Sequence, residues 1–190
     1  MTETVLGRRF ASPPVAALVL LAGCAWLVAR PELRGVANEA AILSVGYLAI
    51  AVAAISVLVP MTAGPATVPN VFAALAFGLG CVLLVGRTVG PAVPIPASGV
   101  APVLNVLAAI AEEALFRGLA FGWLRRSGPV VAVVGTAVAF ALIHVPAYGI
   151  EALPVDLGAG LLLSWQRMVS GTWSVPAATH AAANLLAVIP

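Results

Sequence analysis

Apolar residues occupy seven long stretches of the chain, and most prolines and arginines fall between them. The stretches cover about 15–29, 40–59, 71–85, 102–124, 129–145, 154–169 and 176–189. Each approaches the roughly 20 residues that an α-helix needs to cross a hydrocarbon core about 30 Å thick. Ser12 and Pro13 suit an N-cap and a first-turn proline for the first helix. Pro60 stops the second, Pro69 and Asn70 precede the third, and VGPAVPIPASG leads into the fourth. Pro146 is expected to close the fifth. The third, fifth, sixth and seventh stretches are short for a full crossing, which implies tilt, local thinning or helix ends sunk in the protein. Period-two alternation is absent, and backbone polar groups cannot stay open in lipid. The expected fold is therefore all-α, a polytopic transmembrane bundle of about seven helices. Residues 1–190 read as one integral membrane domain, in which 102–190 form a motif-bearing core and 1–101 hold the first helices and the Pro/Gly-rich connection.

Composition strengthens this picture. Hydrophobic residues make up 62% of the chain and charged ones 8%, against roughly a quarter charged in ordinary soluble domains, and the mean hydropathy is +1.11. All nine basic residues are arginine and the net charge is +2, with no basic run interleaved with aromatics, so nucleic-acid binding is set aside. Richness in Ala, Val, Gly, Pro and Arg suggests a bacterial source, hence a bacterial cytoplasmic membrane. With the N-terminus inside, Arg8, Arg9, Arg125, Arg126 and Arg167 fall on the cytoplasmic side and Arg30, Arg34 and Arg87 outside. The N-terminal basic pair precedes an apolar stretch without a small-x-small cleavage site, so a retained first span is expected. Cys24 and Cys81 lie in apolar runs and read as small core hydrophobes. Trp26, Trp123, Trp165 and Trp173 read as interface anchors, and Glu151, Asp156 and Arg167 as solvated or interfacial.

Against this background Glu112, Glu113, Arg117, His144 and His180 stand in or at the edges of the last four apolar stretches. Ionisable groups at membrane depth are costly and are functional candidates by default. In AEEALFRG, Glu113 and Arg117 are four residues apart and share a helix face, which suits a bidentate ion pair. Glu112 points about a quarter-turn away, without a partner on its own helix. Standing without a cation beside it, such a carboxylate can take up a proton, which describes a general base. A Glu112 facing the acyl chains, or locked tightly to an arginine, would sink that role. His180 and Asn184, again four apart, present an imidazole and an amide to one region. His144 ends FALIH, with Phe140 one turn earlier. One carboxylate, two imidazoles and an amide around a common cavity could activate a water and stabilise an oxyanion. Each residue has a structural reading too: an ion pair for Glu113 and Arg117, an anchor for His144, interhelical glue for Asn184 and core packing for Phe140.

EEALFRG, FALIH and HAAAN fit the patterns E-E-x-x-x-R, F-x-x-x-H and H-x-x-x-N in order. Over about residues 102–190 the chain resembles the CAAX protease and bacteriocin-processing (Abi) family of intramembrane endopeptidases, which includes the type II CAAX prenyl endopeptidase. The resemblance implies peptide-bond hydrolysis by a glutamate-activated water. Glu112 would be the base, His144 would hold or activate the water, and His180 with Asn184 would bind the oxyanion. Glu113, Arg117 and Phe140 would support the site. No cofactor is implied. Zinc held by one carboxylate and two imidazoles is the runner-up, although an amide suits an oxyanion better than a metal. The implied partners are the lipid bilayer and a peptide or protein substrate. Two other function classes remain open: a proton-coupled transporter or channel with Glu112 and the histidines as a relay, and a non-catalytic immunity or scaffold protein. The boundaries place His144 at a helix end and His180 near a helix start, so convergence requires GTWSVP to dip inward or the fifth helix to tilt.

Overall fold

In the computed structural model, residues 13–58, 68–89 and 99–188 are described. Ser12, the Arg8–Arg9 pair, Pro60, residues 90–98 of the connection and Ile189 lie outside them. Every regular element among the described residues is helical. Helices α1 (Pro13–Ala29), α2 (Glu39–Ser56) and α3 (Val68–Val89) come first. Then α4 (Ala101–Glu113) passes through a π-helical stretch, Ala114–Ala120, into the short α5 (Phe121–Leu124). Helices α6 (Pro129–Tyr148), α7 (Leu153–Ser170) and α8 (Ser174–Val188) complete the chain. With α4, the π stretch and α5 counted as one continuous rod, the described residues form the expected seven helices. Short 3-10 turns follow α1 at Arg30–Leu33, α5 at Arg125–Ser127 and α6 at Ile150–Ala152.

Two boundaries differ from the sequence reading for identifiable reasons. Helix α3 has 22 residues rather than the short span expected, because Arg87 sits in its last turn, where a cation complements the helix dipole. Helix α6 runs through Pro146 to Tyr148. A proline that late removes one hydrogen bond, and the Gly149 N–H closes the helix by donating to the Val145 carbonyl at 2.8 Å.

Pro13–Leu33, Glu39–Ser56, Asn70–Arg87 and Pro129–Tyr148 are long and apolar enough to cross a membrane. Leu18, Leu21, Val45, Phe72 and Val130 lie exposed on the outside, an arrangement suited to lipid rather than water. This marks an integral membrane protein. Inside, Leu27, Ala54, Ala111, Leu115, Phe116, Leu119, Phe140 and Leu163 form a continuous apolar core.

Small residues and buried hydroxyls join the helices, as expected where lipid tails compete for apolar contacts. A Cβ on Gly160 of α7 would lie 2.9 Å from both the Cα and the carbonyl oxygen of Ala137 on α6, so glycine permits that close approach. One turn on, the Thr136 and Ser164 hydroxyls meet at 2.9 Å. Gln166 of α7 donates to the Ala74 carbonyl of α3 and to the Thr179 hydroxyl of α8, both at 2.8 Å. Gly78 leaves room for that amide. Helix α7 stops at Gly171, whose positive φ of 71° permits the αL end that returns its N–H to Arg167.

Two glycines of α7 give a paired test. Gly160→Ala forces α6 and α7 apart and is expected to destabilise by about 1–3 kcal/mol. Gly158→Ala meets nothing within 4 Å and is expected to be neutral or stabilising by up to about 1 kcal/mol. Thermal unfolding of both variants in detergent checks the contrast.

Candidate active site

Glu112 and Glu113 are the last two residues of α4, where the helix widens into the π stretch. Their environments differ as the helical offset predicts, but both are paired. Glu113 Oε1 accepts from Arg117 Nη1 at 2.8 Å and from His180 Nδ1 at 2.9 Å. Glu113 and Arg117 have 0% exposed side chains. Arg117 also donates from Nη2 to the Gly160 carbonyl at 2.9 Å, and its Cζ lies 4.5 Å above the Phe140 ring. The expected intrahelical pair is therefore present, but through one hydrogen bond rather than a bidentate fork because Arg117 Nη2 is given to Gly160, and it reaches α6, α7 and α8 at once.

Glu112 corrects the expectation of an unpaired acid. Its Oε1 accepts a hydrogen bond from Arg30 Nη1, in the 3-10 turn after α1. Helix periodicity reveals partners within one rod, and this partner comes from another. The second oxygen, Oε2, remains 3.5 Å from His144 Nε2 and 3.9 Å from His180 Nε2. Neither separation is a hydrogen bond.

The imidazoles are oriented from behind. His144 Nδ1 lies 2.7 Å from the Phe140 carbonyl, an acceptor only, so Nδ1 carries the hydrogen and Nε2 faces Glu112. His180 Nδ1 donates to Glu113 and likewise turns Nε2 inward. Phe140 sits between them, its centroid 4.5 Å from the His144 ring and 5.5 Å from that of His180. Its role is therefore more specific than core filling.

Two helix boundaries bring the rings together. His144 lies a full turn before the end of α6 at Tyr148. Helix α8 starts at Ser174 with Val175 and Pro176 already buried and Trp173 packed on the core, which is the inward dip anticipated for GTWSVP. Asn184 lies one turn beyond His180, where its amide donates to the Asn105 carbonyl at 3.2 Å, seven residues before Glu112 along α4. One of its two N–H groups is thus committed to α4.

Three neighbours escaped the sequence reading. Arg30 entered the sequence reading only as a charge on the outer side of the membrane, yet its side chain is only 10% exposed and reaches Glu112. Tyr47 of α2 accepts from Arg30 at 3.4 Å. Tyr148 stacks on His144 with centroids 5.7 Å apart. Tyr148 could have been found as the residue one turn beyond His144, whereas Arg30 and Tyr47 carry no local signal. Arg167 also departs from its interfacial assignment. It is buried, donates from Nε to the Arg117 carbonyl at 2.8 Å and lies over Phe121. The π stretch loosens the carbonyl ladder there, and the guanidinium fills the gap. Among the described residues no group of three His, Cys, Asp or Glu side chains is disposed to hold a metal ion.

With this geometry in view, comparison with known proteins adds one finding. Residues 94–186 match the family model described as Type II CAAX prenyl endopeptidase Rce1-like, a peptidase family. The matched stretch contains both glutamates, both histidines, Arg117, Phe140 and Asn184, and leaves Arg30 and Tyr47 outside. No curated protein and no solved structure matches the chain.

The Glu113–Arg117 pair generates a stability prediction. Glu113→Gln or Arg117→Met leaves one charge buried alone and is expected to cost about 3–5 kcal/mol. The double variant is expected to lose clearly less than the sum, because neither charge is then stranded. Denaturant unfolding in detergent micelles measures all three, and strict additivity would show that the two groups do not act as a pair.

Proposed function

We propose that the chain, whose residues 94–186 form a domain of that peptidase family, is an intramembrane endopeptidase of the glutamic type. The observation that carries the reading is the convergence of Glu112 Oε2 with two imidazole Nε2 atoms at 3.5 and 3.9 Å. A water bound there touches a carboxylate oxygen and a ring nitrogen together. In the proposed reaction Glu112 takes a proton from that water as its oxygen attacks the peptide carbonyl carbon, and His144 holds the water on line. His180, held by Glu113 through Nδ1, and Asn184 are the proposed partners of the developing oxyanion. Collapse of the tetrahedral intermediate breaks the C–N bond, and the proton held by Glu112 passes to the leaving amine. Glu113, Arg117 and Phe140 orient His180 and His144 rather than touching substrate.

The ion pair with Arg30 is the arrangement expected to defeat a general-base Glu112, and the reading is proposed only through Oε2, the oxygen that faces the histidines. That same pair favours a second reading, in which the buried charges form a neutral scaffold in a non-catalytic membrane protein. For the catalytic reading, the substrate is a peptide or protein terminus near the membrane surface, extended enough to expose its backbone. The setting proposed is a bacterial cytoplasmic membrane, with the whole chain acting as one membrane-embedded domain. Processing of a secreted peptide or of a terminal sorting signal suits that setting better than a prenylated CAAX terminus.

The two readings separate in one experiment. New protein termini are catalogued in membranes of cells expressing the wild-type chain or Glu112→Gln, which keeps shape and removes the base. The enzyme reading expects termini that depend on Glu112, a rate loss of at least about 100-fold on a peptide spanning such a site, and unchanged membrane insertion. Equal termini in both strains would establish the scaffold reading. Cleavage of the same peptide is expected to survive chelation with EDTA or 1,10-phenanthroline, and its loss with restoration by zinc would replace the glutamic mechanism with a metal one.

A further inference from the structure

We infer that Arg30 is a positioning residue of the proposed site, so that a segment outside the matched domain completes it. The inference rests on the peptidase reading and extends it to the N-terminal helices. Within the matched segment Glu112 and Glu113 face a single close guanidinium, Arg117, whose Nη1 is given to Glu113. One buried carboxylate therefore lacks a guanidinium among its own domain's residues in the cluster, and Arg30 fills that place through Glu112 Oε1.

The approach of Arg30 is built rather than incidental. The chain leaves α1 through the turn Arg30–Leu33, with proline second in that turn. Behind Arg30, the Tyr47 hydroxyl of α2 accepts at 3.4 Å, and Tyr47 is itself held by Trp26 in an edge contact with centroids 5.1 Å apart. Ahead of it, Arg34 donates to the Ala147 carbonyl at 3.4 Å, which ties the same turn to the end of α6 that carries His144. Helices α1, α2 and α6 thus locate the guanidinium together.

What the contact does follows from carboxylate geometry. The terminal torsion of glutamate is broad and nearly two-fold, so an unrestrained Glu112 could present either oxygen to either side. A hydrogen bond at Oε1 fixes the plane and leaves Oε2 as the oxygen facing both Nε2 atoms. Arg30 touches neither the proposed water site nor the attacked carbon. It acts through Glu112, and its loss affects the chemical step more than binding.

The test uses the full chain in proteoliposomes and a peptide spanning a Glu112-dependent cleavage site. Arg30→Gln is expected to lower kcat about 10- to 100-fold, the usual cost of misplacing a catalytic group, with KM changed less than about twofold. Arg30→Lys, which keeps the charge without the planar fork, is expected to recover part of the loss. In a Glu112→Gln background Arg30→Gln is expected to add nothing, since it acts only through that carboxylate. An unchanged kcat in Arg30→Gln beside an inactive Glu112→Gln would overturn this inference and leave the peptidase reading standing. A raised kcat would overturn it too, and would show the contact to be an inhibitory lock. Wild-type cleavage by Glu112→Gln would remove both the mechanism and this extension. If Arg30→Gln does not fold, Arg30→Lys decides alone: a lowered kcat at constant KM supports positioning, and an unaltered kcat rejects it.

Discussion

Two carboxylates and the two guanidiniums paired with them sit in a bundle whose surroundings are almost wholly apolar, and their mutual neutralisation is the constraint around which the rest is arranged. Each ion removed from water without a partner costs several kcal/mol. Glu113 meets that constraint locally, with Arg117 one turn away on the same rod. Glu112 meets it with Arg30, 82 residues distant in sequence. A neutral cluster therefore exists only when α1 and the turn after it are docked on the rod that carries the glutamates. The N-terminal helices are tied to the acid pair by charge as well as by apolar contact.

The same pairings separate two adjacent glutamates into different tasks. Glu113 commits one oxygen to Arg117 and to His180, so it orients an imidazole. Glu112 gives one oxygen to Arg30 and turns the other toward the two rings. The rings face it because their Nδ1 atoms are occupied, His144 with a backbone carbonyl and His180 with a carboxylate. Phe140 sets the spacing between them and carries the Arg117 guanidinium on its face. The two rings and the open carboxylate oxygen are thus oriented by hydrogen bonds from behind, the kind of support a preorganised site requires.

Much of this was legible in the residues, and the boundary of legibility has a physical cause. Seven apolar stretches predicted the seven rods because membrane thickness sets helix length. The four-residue spacing of Glu113 and Arg117 predicted their pair, since helical neighbours are fixed by local geometry. The convergence of Glu112, His144 and His180 could be anticipated from three spaced motifs taken together. Arg30 could not, because nothing local distinguishes an arginine that ends a helix at the lipid surface from one that folds back inside. Arg167 and Gln166 were hidden for the same reason: their partners are backbone carbonyls on other rods. The π stretch had no signal either, because its sequence, ALFRGLA, reads as ordinary helix.

That widened stretch has a consequence for how the protein can change. An α-helical rod that gains or loses one residue rotates everything beyond the change by about 100°, and in a packed bundle such an indel is ruinous. A run of i→i+5 turns is the form in which a helix stores an extra residue without unwinding. Placed immediately after Glu113, it insulates the orientation of the glutamates from length variation in the segment leading to Arg125. The rod thus contains an elastic joint beside the acid pair, where an inserted or deleted residue can be absorbed while the two glutamates keep their heading.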